Sequence, residues 1–397
     1  MTRNKEPEAT YIDTARELQA FANDHAQNGW MCFDTEFVGE KRFATRICLI
    51  QAATARGHFL IDPICIDDLS PFVDLLTDPS IVKITHAGEN DYRLFYEGFG
   101  IAPRNIFDTQ IAAGFAGYRY PISLQALVRS ELGLRMKKGY TVADWESRPI
   151  SQRQLSYALD DIRPLPELWK ALDHKLRKTR RSQWALKEFR VLERPEYYAK
   201  DPHEEVLNSR LIQSLNKKDQ AFLLRLYDWR RSLAREKDYS KNMILPKKVI
   251  TQIVRTIPAG AQALKDNRRV PTKIASRHGD TFERMYKAEI TDEERKLLQR
   301  VPSQEKEDPE ETIIMEMLYL VVKYKCLRHG ISENLVLPRG ILKELRRDPS
   351  QADALLVDSW RSEFLGPTLV HWLRHFDRLN LDVEGEEIRL YLEESLP

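Results

Sequence analysis

Up to about residue 170 the chain alternates short strand-like runs with helical stretches, and beyond it strand-like runs nearly vanish. This change of period constrains the fold more than any single motif. Strands interleaved with helices bury their apolar faces in an α/β layering around a mixed sheet, which an unbroken helical succession cannot do. Strand candidates lie at 30–37, 46–53, 57–61 and 81–85, each short, rich in apolar or aromatic residues and bounded by turn formers. Helices are expected at 14–24, ahead of an Asn28-Gly29 turn, at 70–76 and at 89–96. The last carries Tyr92, Phe95, Tyr96 and Phe99 on one face, and Gly98 and Gly100 supply its stop.

From residue 151 the pattern is helical. Ser151 followed by Gln154 is a capping-box start, and Leu155, Leu159, Ile162, Trp169, Leu172 and Leu176 continue an apolar stripe. Pro164 and Pro166 interrupt it, so the helix is expected to kink or restart just after Asp161. Arg194-Pro195 and Asp201-Pro202 mark a linker. Two helical units follow and look duplicated. Asn242-Met-Ile-Leu-Pro-Lys247 recurs as Asn334-Leu-Val-Leu-Pro-Arg339, each behind an amphipathic helix (220–235 and 312–329) and ahead of another helix opening at the proline. The charged, apolar-poor stretch 302–310 between them reads as a solvated linker. The expected organisation is a first domain at 1–195, a second at 205–295 and a third at 309–397.

At 397 residues, 42 % hydrophobic and 31 % charged, the composition is that of an ordinary globular protein, neither a disordered tail nor a membrane protein. No apolar run approaches the roughly 18 to 20 residues of a membrane span. Residues 1–10 lack the apolar core of a secretory signal, so a cytoplasmic protein is expected. Cys32, Cys48, Cys65 and Cys326 are widely spaced, without a CxxC pair or Cys/His cluster, and read as reduced core cysteines. The net charge of +2 says little, but its distribution is uneven. One basic block runs from Lys175 to Arg181 and on through Lys187, Arg190 and Arg194; a second runs from Lys217 and Lys218 through Arg225, Arg230, Arg231, Arg235 and Lys237. Each suits phosphate neutralisation and equally suits a solvated helix face.

Three segments carry chemistry. In Phe33-Asp34-Thr35-Glu36-Phe37, Asp34 and Glu36 share one face of a strand, because side chains repeat every two residues. Two carboxylates side by side repel, and burying them calls for a cation; a hard divalent ion with its preference for oxygen is the natural one. Taken alone, Asp-x-Glu is more often a solvated pair on an edge strand. His86-Ala-Gly-Glu-Asn-Asp91 sits where a strand turns into a helix, which puts Asp91 in a first helical turn at the sheet end where α/β proteins build sites. An acid there also simply favours the helix dipole. Tyr157 and Asp161, four apart, share a helical face.

The order Asp-x-Glu, Asp, Tyr-x-x-x-Asp, each on its kind of element, resembles the DEDD superfamily of 3′→5′ exonucleases in its tyrosine-bearing branch. Within that branch it resembles the ribonuclease D family. The similarity extends to Cys48-Leu-Ile-Gln51, His86-Ala-Gly88, Phe107-Asp-Thr-Gln110, Ser123-Leu124 and Asp144-Trp-Glu-Ser-Arg-Pro149, and the helical units are similar to HRDC domains. The resemblance implies an α/β plus all-α chain: a ribonuclease H-like 3′→5′ exonuclease domain followed by two small helical HRDC-like domains. It implies hydrolysis of RNA 3′ ends with two divalent cations, Mg²⁺ or Mn²⁺, releasing nucleoside 5′-monophosphates. In that scheme Asp34 bridges the ions, Glu36 and Asp161 complete the one that binds the attacking water, Asp91 holds the second, and Tyr157 orients or deprotonates the water. Thr35 and His86 are implied contacts of the terminal nucleotide, although His86 reads equally as a satisfied histidine at a strand end. The implied partners are tRNA precursors and other structured RNAs, with no membrane, and the chain is expected to be a monomer.

Asp108 is expected to cap a helix and Trp145 to pack, while Arg148 suits a phosphate or a carboxylate. The loop Arg42-Phe-Ala-Thr-Arg46 departs from the family's usual Tyr/Phe-Pro arrangement, which bears on substrate contact. Two alternatives carry weight. A DNA 3′→5′ exonuclease would share the same acids, but no polymerase or helicase module accompanies them. A non-catalytic RNA-binding adaptor would have lost an acid, and Asp34, Glu36, Asp91 and Asp161 are all present.

Overall fold

The computed structural model describes residues 9–136, 144–302, 308–347, 351–384 and 387–392. The first residues of the chain and most of the linker expected at 302–310 lie outside these. The chain divides into two compact units, one gathering residues 1–36, 47–198 and 307–397, the other 37–46 and 199–306.

The first unit is built on a six-stranded sheet: β1 (Thr10–Ile12), β2 (Trp30–Val38), β3 (Arg46–Thr54), β4 (Gly57–Ile61), β5 (Val82–Thr85) and β6 (Ile106–Asp108), in the order β1-β4-β3-β2-β5-β6. It is mixed, with β3 antiparallel to β4 and the pairs β1/β4, β2/β5 and β5/β6 parallel. Helices α1 (Ala15–His25), α2 (Ser70–Thr77), α3 (Glu89–Phe99), α4 (Thr109–Phe115) and α5 (Leu124–Leu132) connect and flank it. They are followed by α6 (Gln152–Ile162), α7 (Leu165–Lys178) and α8 (Ser182–Leu192). Alternation along β2 sorts two cores. Phe33 meets Phe72, Tyr92 and Phe95 of α2 and α3 at centroid separations of 6.0, 5.9 and 6.1 Å. Trp30, on the face that carries Asp34 and Glu36, meets Trp169 of α7 at 6.0 Å.

The Ser151–Gln154 capping box forms, α6 ends at Ile162 and α7 begins behind Pro164, as the two prolines predict. The three-residue strands β1 and β6 are additions to the sequence reading.

Residues 307–397 group with this same unit. Ser332 N donates to Gly114 O at 3.0 Å, Trp360 packs edge-on against Phe115 at 4.8 Å, and Arg361 pairs with Glu188 at 2.8 Å. A Cβ at Gly114 would lie 2.4 Å from Leu335 Cδ1, so α4 approaches this segment too closely for a larger residue without a shift of Leu335. The antiparallel hairpin Leu379–Glu384 with Glu387–Leu392 corrects the expectation of helices alone here.

The second unit has its own core around Phe222, Leu226, Ile250, Ile253 and Phe282. The duplication is visible in the elements. The helices Lys217–Lys237 and Pro309–His329 are each 21 residues long, each is followed by a four-residue helix (Lys241–Ile244, Glu333–Val336), and each sequence then reaches a proline that opens another helix (Lys247–Thr256, Arg339–Arg347). Several residues of the basic blocks are committed internally. Arg230 is buried with its Nε on Lys241 O at 2.8 Å, Arg225 forks onto Glu294 at 2.6 and 2.7 Å, and in the first unit Arg181 donates to the Phe115 and Gly330 carbonyls at 2.7 and 2.6 Å. Of the cysteines, Cys32, Cys48 and Cys326 are buried, but Cys65 is exposed, a correction to the core reading. Among the described residues no helix is long and apolar enough to cross a membrane.

Candidate active site

The turn from β5 into α3 is the most constrained stretch of backbone near the acids. Ala87 is held at φ 57°, in the left-handed region. Gly88 follows as the N-cap of α3, and a Cβ there would meet Thr85 Oγ1 at 2.5 Å and the Tyr92 ring at 2.9 Å. Asp108 locks the turn from the side: one carboxylate oxygen accepts from Gly88 N at 2.9 Å, and the other caps α4 through Gln110 N and Ile111 N at 2.8 and 3.1 Å. The N-cap expected of Asp108 is therefore present, with a second duty. This geometry sets Asp91 in the first turn of α3, buried, with the Thr35 hydroxyl of β2 donating to it.

Asp34 and Glu36 lie half-buried on the opposite face of β2, and α6 brings Tyr157 and Asp161 into the same neighbourhood. All four acids are pushed toward the neutral form. Burial raises Asp34 well above the carboxylate range, and the charges of Asp91, Asp161 and Glu36 raise it further. Burial, then Asp161 and Asp91, push Glu36 up to about 8. Asp91 and Asp161 are each raised to about 6, mainly by burial, although hydrogen bonds from Thr35 and Tyr157 pull the other way. None of the four makes an ion pair among the described residues. The Tyr157 phenol is driven up by burial, by Asp161 and by Glu36, so Oη keeps its proton at neutral pH. Behind it the buried Trp145 lies 6.3 Å away, centroid to centroid, the packing role expected of it.

The donor set fits a hard divalent cation: four carboxylates, all oxygen, mutually repelling and without a protein counter-charge. Among the described residues no three of them converge into a closed ligand cluster. Repulsion between uncompensated carboxylates opposes such convergence, and a cation would remove that opposition.

The other candidates divide. Thr35 spends its hydroxyl on Asp91. His86 has both ring nitrogens engaged, Nδ1 with Thr109 Oγ1 at 2.9 Å and Nε2 with Ile122 O at 3.0 Å. Burial holds it below the usual histidine range, which favours the neutral ring with Nε2 donating to the carbonyl. As found, both side chains serve the interior of the site. Arg148 resolves to a carboxylate: it forks onto Asp62, a partner the sequence reading missed, since an Asp-Pro step behind a strand reads only as a turn.

The 3′-5′ exonuclease family profile matches residues 9–177 and the HRDC domain profile matches 219–285. The chain is 28 % identical over 393 residues to ribonuclease D of Granulibacter bethesdensis, covering 98 % of each chain. It is 29 % identical over 385 residues to that of Nitrobacter hamburgensis, covering 96 % of this chain and 98 % of the relative. The crystal structure of Escherichia coli RNase D, described as an exoribonuclease involved in structured RNA processing, superposes with a TM-score of 0.78 at 25 % identity, covering 93 % of this chain and 99 % of that one. Sheet, acids and profile thus define a 3′→5′ exonuclease domain joined to an HRDC domain. Over nearly its whole length the chain is similar to proteins of the ribonuclease D family, and its activity is that of a 3′→5′ exoribonuclease.

Proposed function

We propose that this chain shortens the 3′ ends of structured RNAs, tRNA precursors among them, releasing nucleoside 5′-monophosphates in the cytoplasm. Asp34, Glu36, Asp91 and Asp161 would hold two divalent cations, Mg²⁺ or Mn²⁺. The observation that carries this reading is the gathering of four uncompensated carboxylates beside a protonated phenol. When bound, such cations supply a nucleophile at neutral pH and offset charge on the phosphodiester. Thr35 fixes the carboxylate of Asp91. Tyr157 donates from Oη to Asp161, which places the phenol to serve the orienting half of the role implied for it. All five side chains come from one chain, so a single copy suffices for the chemistry.

The test is degradation of a 5′-labelled RNA with a single-stranded 3′ tail, in Mg²⁺, in Mn²⁺ and in EDTA, with a matched DNA in parallel. A ladder shortening from the 3′ end, lost in EDTA and weak on DNA, is expected. Intact RNA that nevertheless binds tightly would replace the enzyme with an adaptor, and preference for the DNA would move the substrate class. Tyr157→Phe is expected to lower kcat by about 10²-fold with RNA affinity unchanged. Equal losses in kcat and affinity would mean the phenol holds RNA instead.

The acids also couple stability to pH. Folded values above the ordinary carboxylate range mean the folded state binds more protons, so the stability they contribute is complete below about pH 4. It is lost as pH rises through about 6 for Asp91 and Asp161 and about 8 for Glu36. A cation among them favours the charged forms and lifts that penalty. Mg²⁺ is therefore expected to raise Tm by several degrees at pH 8 and hardly at all at pH 5. Equal shifts at the two pH values would show that the ion binds elsewhere.

A further inference from the structure

The helix Pro309–His329 is apolar on two faces. One, with Ile314, Met315, Leu318, Val322 and Cys326, is buried. The other carries Ile313, Met317, Leu320, Tyr324 and Leu327, spaced alternately four and three apart, the interval of a helix-pairing seam. Along it Ile313, Leu320, Tyr324 and Leu327 are 52, 59, 64 and 76 % exposed, with only Met317 half-covered. A helix apolar all round is normally a buried one, yet these four side chains stay mostly exposed. Leu320 forms a ridge between two concavities. One, of about 550 Å³, lies beside Tyr118, Leu327 and Ile331; the other, of about 330 Å³, lies beside Met315, Tyr319 and Leu342. Such hollows are seats for the side chains of a second helix.

We propose that this seam pairs two copies of the chain, helix against antiparallel helix, about a two-fold axis between Met317 and Leu320. Charge selects both occupant and direction. The first half of the helix carries Glu310, Glu311 and Glu316, and the second half Lys323, Arg328 and His329. A helix with opposite charges in its two halves complements itself only when reversed; a parallel pair would superpose like on like. Setting Ile313 of one copy against Tyr324 of the other, and Met317 against Leu320, brings Glu316 beside Lys323. The seam spans about 21 Å at 1.5 Å per residue. The seam contains none of the four acids, so the dimer is an assembly property beyond the nuclease chemistry, where the sequence led to the expectation of a monomer.

Sedimentation velocity of the full chain from about 1 to about 100 µM, a range that captures micromolar pairing, tests it. The mass is expected to double across the range. Leu320→Glu changes an exposed residue, so it should keep the circular dichroism spectrum and RNA-trimming rate of the parent while remaining monomeric throughout. Glu316→Lys should weaken the dimer by about tenfold, and adding Lys323→Glu should restore it. A parent chain that stays monomeric would overturn the proposal, as would a dimer that survives Leu320→Glu. A monomer whose RNA affinity falls with Leu320→Glu would also overturn it, and would assign the seam to RNA.

Discussion

Replacing Asp34 with asparagine is expected to abolish RNA trimming and, in the same protein, to raise the melting temperature measured in EDTA. The two effects share one cause. Asp34 is the acid on which Asp91, Asp161 and Glu36 all act, and burial adds to their repulsion. An amide of the same shape relieves that repulsion when no cation is present, so the metal-free fold gains. The same amide carries no charge to offer a divalent ion, and loss of a central catalytic group costs about 10³ to 10⁵ in rate. Single-turnover trimming and a thermal melt in EDTA, on the same preparation, check both halves. Activity lost together with a lowered melting temperature would mean Asp34 supports the fold, and the site would have to be sought elsewhere. Activity within a factor of about ten of the parent would sink its central role outright.

Arg148→Ala should be the most destabilising single change outside the core. Asp62 is fully buried, and Arg148 meets it through Nε and Nη2 at 2.5 and 2.7 Å while Tyr11 donates to it at 2.6 Å. Arg148 also donates to the Cys48 and Trp145 carbonyls at 2.6 and 2.8 Å, tying the loop before α6 to β3. Burial alone would push the Asp62 carboxyl up; the hydrogen bonds from Arg148 and Tyr11 outweigh it and hold the carboxyl below the usual range. That stability is present above the ordinary carboxylate pKa and is lost as pH falls. Without the guanidinium the sign reverses, because an unpaired buried carboxylate favours its proton, and the variant should weaken as pH rises. Stranding a buried charge costs about 3–5 kcal/mol. Urea melts at two pH values read this directly, and Asp62→Asn added to Arg148→Ala should recover most of the loss. A loss under about 1 kcal/mol would reduce the pair to an ordinary surface contact.

What could be read in the sequence was what repeats locally. The alternation around Asp34 and Glu36 announces both the strand and the shared face, Ser151 with Gln154 announces the start of α6, and Pro164 its end. Asp108 could be named as a cap because a cap is settled within three residues. The contacts that position the site are not of this kind. Thr35 meets Asp91 across 56 residues, and Arg148 meets Asp62 across 86, so each partner is chosen by the sheet order. Strands β1 and β6, three residues each, are too short to show a period and exist because β4 and β5 offer edges to pair with. The hairpin at 379–392 was legible in principle, with Leu379, Leu381 and Val383 alternating with polar residues ahead of a glycine. The long helical stretches before it make a helical end the stronger pattern in the sequence.

The grouping of residues 307–397 with the exonuclease unit has a consequence for how the protein is made. A ribosome delivers the chain from its first residue onward, at roughly 5–20 residues per second, and domains tend to fold as they emerge. Residues 199–306 form a unit nearly contiguous in sequence and can close early. The contacts of the exonuclease unit with 307–397 come later. Until Trp360 and Arg361 have left the tunnel, Phe115 lacks its edge-on partner and Glu188 its counter-charge. The unit whose sequence starts first thus receives its last contacts after residues 199–306 have been made.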